Sequence, residues 1–188
     1  MLSKKVWLEA LKYYGWPLPF AAFAKLLQGL WEADLTAVRA VIELHPEVLK
    51  GRALVATAAG PPGHWHFGQG GAVPVDVARD DQRAEVVRYL LEQGADAEGE
   101  THRKARPLHS AARFGLFETA SALLFHGVAA DPRDATGQTP LHRVARFGYR
   151  EVAQLLLASG ADPHAQDRRG VTPRQIAKEK GLLWAELS

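Results

Sequence analysis

The chain contains 188 residues, 47% of them hydrophobic and 23% charged, with a formal net charge of +2 at pH 7. This composition is typical of a soluble globular chain that is long enough to bury one continuous core. The absence of cysteine excludes disulfides, thiolate metal sites and a cysteine nucleophile, and it fits a reducing compartment, for which we expect the cytoplasm. Charged residues, a glycine and prolines interrupt the apolar N-terminal run between Lys12 and Lys25, which argues against a membrane span and a secretory signal.

The N-terminal part of the chain, residues 1–50, is predicted to hold a lid helix and an atypical first repeat. Residues 3–14 combine apolar and charged side chains in the pattern of a short amphipathic helix. Residues 20–49 have the pattern of a degenerate copy of the repeat unit described below, as is usual at the end of a solenoid. The face expected to be buried in this copy consists of Val38, Val41, Ile42 and Leu44.

Residues 51–71 lengthen the interval between this first copy and the next one. They contain a β-prone run at 54–57, a Pro61-Pro62-Gly63 turn and an aromatic cluster around Trp65. This pattern predicts an inserted loop or a short β-hairpin. Two interpretations of Trp65 stay open, because its ring can pack against the first helices or can contact a partner.

Prolines at a constant spacing mark the rest of the chain. They follow one another at intervals of 33 residues and are Pro74, Pro107, Pro140 and Pro173. A glycine lies 20 residues after each of the first three, at Gly94, Gly127 and Gly160. A fixed period of this length is typical of repeat proteins. Residues 72–169 are therefore predicted to be repeats, and residues 170–188 a capping repeat at the C-terminal end.

One repeat, which is clearest between residues 134 and 166, has the pattern of a helical hairpin. Thr139-Pro140 is predicted to begin the first helix. Proline has no N–H, and in the first turn of a helix this group would have no intrahelical partner, so its absence costs nothing. Gly148 is suited to the left-handed conformation that ends a helix, and Gly160 ends the second helix. The residues predicted to face the core are Leu141, Val144 and Ala145 in the first helix and Val152, Leu155 and Leu156 in the second.

This unit resembles the ankyrin repeat. The match rests on Asp134, Gly137, Thr139-Pro140-Leu141-His142, Val144-Ala145, Gly148, Leu155-Leu156 and Gly160-Ala161-Asp162. The other copies depart from it at Asp76, Lys104, Arg106 and Arg174-Gln175. The resemblance implies an all-α ankyrin-repeat solenoid, a stack of helical hairpins without a cofactor. It also implies that His109 and His142 are buried and join adjacent turns.

The resemblance further implies a concave groove, formed by turn tips and by the exposed side of the first helices, that contacts partners. Mapped onto this chain, the groove contains Asp80, Asp81, His102, Arg103, Lys104, Arg113, Phe114, His126, Arg146, Phe147, Arg168, Arg169 and Lys180. Because arginine and aromatic residues dominate interface hot spots, the two Arg-Phe pairs are the expected centre, with exposed rings. In the other interpretation, the phenylalanines cap the stack and the arginine stems cover apolar surface.

The charge distribution favours an acidic partner. Residues 1–100 contain 10 basic and 13 acidic side chains, whereas residues 101–188 contain 13 basic and 8 acidic ones. An acidic protein surface or a phosphate-rich ligand is the natural complement of the basic half. We therefore expect a monomeric, non-enzymatic scaffold that binds another protein and no metal or membrane, and for which nucleic acid is not the expected partner.

Two other functions stay open. An enzyme or small-ligand site could be built by the lid helix and the 51–71 insertion, where the titratable groups are His45, Arg52, His64 and His66. His64 and His66 supply two ligands without a third at fixed spacing, which does not define a zinc site. Alternatively, the basic C-terminal half could bind nucleic acid, which a steep weakening of binding by salt would indicate.

Overall fold

The computed structural model describes residues 20–50, 80–100 and 103–182. Its α-helices are α1 (Phe20–Glu32), α2 (Leu35–Leu44), α3 (Asp80–Glu92), α4 (Pro107–Phe114), α5 (Phe117–Phe125), α6 (Pro140–Phe147), α7 (Arg150–Ala158) and α8 (Pro173–Glu179), and a 3-10 helix spans Pro46–Lys50. These residues contain helices and no strand, which confirms the predicted all-α class. The predicted lid helix at 3–14 and the insertion at 51–71 lie outside the described residues. None of the described helices combines the length and the apolar character needed to cross a bilayer.

The repeats form two layers of helices. In the first layer, α4 packs against α6 and α6 packs against α8. In the second layer, α3 packs against α5 and α5 against α7, while α2 contacts α3. The helices α4 and α5 form one hairpin, and α6 and α7 form the next. Each unit thus contacts mainly its neighbours, as expected of a solenoid.

The first-layer helices begin in one common way. A proline occupies the first turn, and the N-cap residue before it donates its N–H to a side chain three residues further on. The N–H of Arg106 lies 3.1 Å from Nδ1 of His109, and the N–H of Thr139 lies 3.0 Å from Nδ1 of His142. In α8 the equivalent acceptor is Oε1 of Gln175, at 2.8 Å. Glutamine therefore replaces histidine in the last repeat.

Glycines end α4 and α6, as predicted. Gly115 has a φ of +68° and Gly148 a φ of +86°, in the left-handed region that glycine adopts without strain. A side chain at Gly115 would also overlap the ring of Tyr149, because Cδ1 of that ring lies 2.6 Å from the position of an added Cβ. At Gly148 the neighbour is Leu182, one period after Tyr149, whose Cδ2 lies 3.7 Å from the position of an added Cβ. The residue that follows each glycine bend therefore covers the bend of the previous repeat.

Helix α3 departs from this plan because it lacks the glycine bend. One repeat before Gly115 and Leu116, the chain has Gln82 and Arg83, and both lie inside α3. As a result, α3 already includes Asp80, which lies four residues before the position at which the other second-layer helices begin.

The extension of α3 gives Asp80 a structural role. Its carboxylate is buried and accepts hydrogen bonds from the N–H of Glu118 at 2.7 Å and from the N–H and hydroxyl of Thr119 at 3.2 and 2.6 Å. The N–H groups at the start of α5 would otherwise lack intrahelical partners. Asp80 therefore caps a helix of the next repeat, and the prediction that it lines a groove is wrong.

The core follows the predicted stripes with one exception. The buried residues among those predicted are Leu141, Val144, Ala145, Val152 and Leu156, and Leu155 is partly buried against the same core. In the atypical first repeat, Val38, Val41 and Ile42 are buried as predicted, but Leu44 is 77% exposed. It lies two residues after Ile42, and two steps along a helix turn a side chain to the opposite side.

The turns that precede α6 and α8 are closed by aspartates. Oδ1 of Asp134 accepts hydrogen bonds from the N–H groups of Thr136 at 2.7 Å and Gln138 at 3.0 Å, and Asp167 repeats the arrangement one period later. The turn before α4 has Lys104 where the later turns have glycine. Its φ is +54°, a conformation that costs a residue with a Cβ about 1 kcal/mol.

Backbone hydrogen bonds connect one turn to the next. The N–H of Ala135 donates to the carbonyl oxygen of Arg103 at 2.8 Å, and the N–H of Arg168 donates to that of Thr136 at 3.1 Å. Both donors and both acceptors are related by the repeat period. The turns therefore keep a fixed register along the edge of the first layer.

Candidate functional site

The exposed side of α4, α6 and α8, together with the turns before them, is called the first-layer surface here. It corresponds to the groove that the ankyrin resemblance implies. The predicted contact residues on these elements are Arg103, Lys104, Arg113, Phe114, Arg146, Phe147, Arg168, Arg169 and Lys180.

Arg113 and Phe114 form a half-buried pair at the end of α4. The guanidinium carbon of Arg113 lies 5.6 Å from the centre of the Phe114 ring, within the range of a cation–π contact. Phe114 itself packs against the core. The expected exposure is found in the other pair, where the ring of Phe147 is 49% exposed. The two Arg-Phe pairs are therefore not equivalent. Phe114 packs against the core, as in the interpretation in which the phenylalanines cap the stack.

Burial and the positive charges of three other guanidinium groups affect the pKa of Arg113. Burial lowers the pKa of Arg113, and the positive charges of Arg143, Arg103 and Arg146 lower this pKa further. Arg103 precedes α4 and Arg113 ends it, whereas Arg143 and Arg146 lie in α6, which packs against α4. Arg146 lies one repeat period after Arg113, so these two residues occupy equivalent positions on adjacent helices. We call these four residues the arginine cluster. Guanidinium groups do not lose their proton in proteins, so the cluster places like charges on one surface.

Arg143 differs from the other members of the cluster because it has an acidic partner. A terminal nitrogen of its guanidinium donates to Oδ2 of Asp134 at 2.7 Å, and only 4% of the aspartate side chain is exposed. Burial raises the pKa of Asp134, but hydrogen bonds from Thr136, Arg143 and Gln138 outweigh burial and hold the pKa below its usual value. Asp134 is therefore ionised at neutral pH and offsets the charge of Arg143.

An exposed aromatic pair lies beside the cluster. The rings of Phe147 and Tyr149 are stacked, with centroids 6.2 Å apart and planes inclined by 27°. They are 49% and 36% exposed, and Tyr149 is held in place by its contact with Gly115. Phe147 follows Arg146 directly, so charged and aromatic groups share the end of α6.

The remaining predicted contacts on this surface are also exposed. At the turn tips these are Arg103, Lys104, Arg168 and Arg169, and after α8 it is Lys180. The turn hydrogen bonds fix the backbone of the tips, whereas the side chains are in contact with solvent.

Three predicted contact residues do not lie on the first-layer surface. Asp80 is buried under the start of α5, and Asp81 lies in the first turn of α3, which belongs to the second layer. His126 is the C-cap residue that follows α5, a helix of the second layer. The groove position predicted for the buried Asp80 is wrong, whereas partner contact by the exposed Asp81 and His126 stays a prediction. His102 and Trp65 fall outside the described residues.

Two residues of the surface were not predicted. Arg143 was not predicted because it directly follows the buried His142 of the repeat motif. The signal that could have found it is its spacing of three residues from Arg146, which places both on one helix face. Tyr149 was missed because it follows the helix. The signal that could have found it is the aromatic residue that directly follows the Phe147-Gly148 bend.

The buried histidines are structural, as the resemblance implied. Nε2 of His109 lies 2.9 Å from the carbonyl oxygen of Gln138, and Nε2 of His142 lies 3.0 Å from that of Val171. Burial lowers the pKa of His109 to about 4 and also lowers the pKa of His142. In the part of the chain that the structure describes, no three metal-ligating side chains are grouped so that they could hold an ion.

Comparison with known families agrees with this architecture. A family model described as ankyrin repeats, in three copies, matches residues 75–167. No match is found among curated proteins. The matched range includes α3 to α7 and therefore the whole arginine cluster and the aromatic pair.

Proposed function

This chain belongs to the ankyrin repeat family, whose repeats are generally protein-interaction modules, and we propose that it is a non-enzymatic scaffold that binds a partner protein through the first-layer surface. The family supports binding in general. The choice of surface rests on the arrangement of charged and aromatic side chains described above.

One observation carries the choice of surface, namely the exposed stack of Phe147 and Tyr149 beside Arg146. Aromatic and arginine residues are enriched among the hot spots of protein interfaces, because aromatic rings bury a large area at little rotamer cost and the guanidinium donates several hydrogen bonds. Tyr149 is already fixed against Gly115, so little conformational entropy is lost when a partner covers it.

The charge of this surface supports an acidic partner. The arginine cluster lies in the half of the chain that contains 13 basic and 8 acidic residues. Opposite charge on the partner would steer its approach and select against basic surfaces.

The proposal is tested by affinity capture from the source cell with the full chain, followed by mass spectrometry. Proteins captured by the parent are compared with those captured by Phe147→Ala. Loss of the exposed ring should weaken partner binding by about 1 to 3 kcal/mol, with almost no change in stability. The matched control is Phe125→Ala, because Phe125 is 95% exposed but ends α5 in the second layer.

Proteins that bind the parent and the Phe125 variant, but not the Phe147 variant, would support the first-layer surface. If every captured protein is retained equally by both variants, another surface makes the contact and the proposal is wrong.

A nucleic-acid partner is tested separately with a fluorescent single-stranded oligonucleotide. We expect weak binding that does not depend on Phe147. Tight binding that weakens steeply with salt and is lost in Phe147→Ala would replace protein by nucleic acid as the partner.

A further inference from the structure

The arginine cluster holds more positive charge than its own repeats neutralise. Arg143 is paired with Asp134 at 2.7 Å. Within the ranges 20–50, 80–100 and 103–182, Arg103, Arg113 and Arg146 take part in no ion pair. Three positive charges therefore remain on a surface formed by one turn and two adjacent helices.

Arg113 is the half-buried member of this set, whereas Arg103 and Arg146 are exposed. Its guanidinium lies over the ring of Phe114, which is itself packed against the core. Arg113 therefore presents its donors from a constrained position, and less rotamer entropy is lost when an anion binds. Arg103 and Arg146 are exposed on either side along the stack, since one precedes α4 and the other lies in α6.

We propose that the arginine cluster binds a phosphoserine or phosphothreonine residue in a segment of the partner, an inference that rests on the proposed function. A phosphate group has a charge of about −1.5 to −2 near pH 7 and three acceptor oxygens. A carboxylate has one charge and two oxygens, so more than one carboxylate would be needed to supply the same charge and number of acceptors. The planar guanidinium fork is also the side chain that matches phosphate in bidentate geometry.

The aromatic pair predicts a second feature of the bound segment, namely an apolar side chain near the phosphate. Phe147 and Tyr149 lie directly after Arg146 and are exposed. A phosphorylated residue held by Arg146 would bring its neighbours in the segment close to these rings. The preferred segment therefore has an apolar side chain within a few residues of the phosphate.

The proposal is tested with two fluorescent libraries of short degenerate peptides that have either phosphoserine or glutamate at the centre. Binding to the full chain is measured by fluorescence polarisation. We expect the phosphoserine library to bind about ten-fold tighter or more than the glutamate library, because the phosphate offers more negative charge and one more acceptor oxygen than the carboxylate. If the glutamate library binds as well as the phosphoserine library, or if neither binds, the proposal is wrong.

Lysine variants separate geometry from charge. Arg146→Lys and Arg113→Lys keep the positive charge but lose the fork, and each should weaken phosphopeptide binding by about ten-fold. Arg150→Lys, at the exposed start of α7, is the control and should bind as the parent does. Arg146 is exposed, so its variant tests the site even if Arg113→Lys lowers stability. Unchanged binding by Arg146→Lys would overturn the assignment.

Phosphatase treatment of the cell extract distinguishes this inference from the proposed function. Partners whose capture depends on Phe147 should be lost after treatment. If they are retained, the surface binds protein without phosphate, so the inference fails while the proposed function stands. If no Phe147-dependent partner exists in the untreated extract, the proposed function itself fails.

Discussion

Nε2 of His109 lies 2.9 Å from the carbonyl oxygen of Gln138, so a single imidazole joins helix α4 to the turn of the next repeat. The other ring nitrogen, Nδ1, accepts the N–H of Arg106 at 3.1 Å. Because Nδ1 accepts, the one proton of the neutral ring lies on Nε2, which donates to the carbonyl. A second proton would remove the acceptor and place a charge in the core.

The first prediction is that acid destabilises the protein through this histidine. The pKa of His109 is lowered from 6.5 to about 4 on folding. Its contribution to stability is therefore complete above the unfolded pKa and is lost as the pH falls toward the folded pKa. Between pH 7 and about pH 4.5 the free energy of unfolding should fall by about 2 to 3 kcal/mol, as measured by urea denaturation. His142, whose pKa is lowered in the same direction, should add to this loss.

His109→Gln is the control for the pH prediction, because Gln175 already accepts the equivalent hydrogen bond in the last repeat. The variant should lose part of the pH dependence while keeping the helix start. Asp134 and Asp167 have lowered pKa values, so their contributions are lost only below about pH 4, outside this window. An equal pH dependence in parent and variant would contradict the assignment.

The second prediction concerns the bonds between repeats that Asp80 accepts. Asp80→Ala leaves the N–H of Glu118 and both donors of Thr119 without their acceptor, and it should cost about 1 to 3 kcal/mol of unfolding free energy. The neighbouring Asp81 is exposed, so Asp81→Ala should change stability by less than about 0.5 kcal/mol. Equal effects of the two substitutions would mean that the capping role is wrong.

The third prediction concerns the second layer. Leu123 and Leu156 are fully buried in the stacked helices α5 and α7. Replacing either by alanine should cost about 2 to 5 kcal/mol, because the cavity between neighbouring helices cannot close completely. Phe125→Ala removes a larger side chain from the exposed end of α5, and it should cost almost nothing. A cost below about 1 kcal/mol for both leucines would contradict the stacking of these helices.

The fourth prediction separates backbone strain from side-chain overlap at the glycine bends. Gly160 has a φ of +89° and open space around it, so Gly160→Ala should cost about 1 kcal/mol from the left-handed conformation alone. Gly115→Ala meets both that strain and the ring of Tyr149, and it should cost at least about 1 kcal/mol more.

The double variant Gly115→Ala, Tyr149→Ala tests the cause of the extra cost. Removing the ring removes the overlap, so the two substitutions should be non-additive in thermal or urea unfolding. Additive effects would show that Tyr149 does not restrict Gly115.

Local signals explain what could be predicted from the sequence. The prolines, the glycine bends and the apolar stripes act within one hairpin, and their repetition at a constant spacing revealed the stack without knowledge of any contact. Gly148 and the buried stripe of α6 are where the pattern placed them. The exposure of Leu44 at the end of α2 was not predicted. Leu44 is apolar like the buried residues of this helix, but it lies two residues after Ile42 and therefore on the opposite side.

Contacts between repeats explain what could not be predicted. Asp80 looked like one of a pair of acidic groove residues, but its partners lie 38 and 39 residues further along the chain. Lys104 takes a glycine conformation that its side chain disfavours. The arginine cluster likewise combines residues of two repeats, and only the three-dimensional arrangement shows that Arg143 is neutralised by Asp134 while the others are not.

The cover that Tyr149 forms over Gly115, and that Leu182 forms over Gly148, means that each interface in this part of the stack is made from equivalent positions. A second copy of residues 134–166, inserted directly after the first, would place another Tyr149 over Gly148 and another Gln138 carbonyl beside His142, both of which are pairings already present one repeat earlier. The inserted repeat would therefore form only contacts of kinds that the stack already contains. The 33-residue repeat is thus a unit that can be duplicated as a whole, and each duplication within the gene would extend the binding surface by one hairpin.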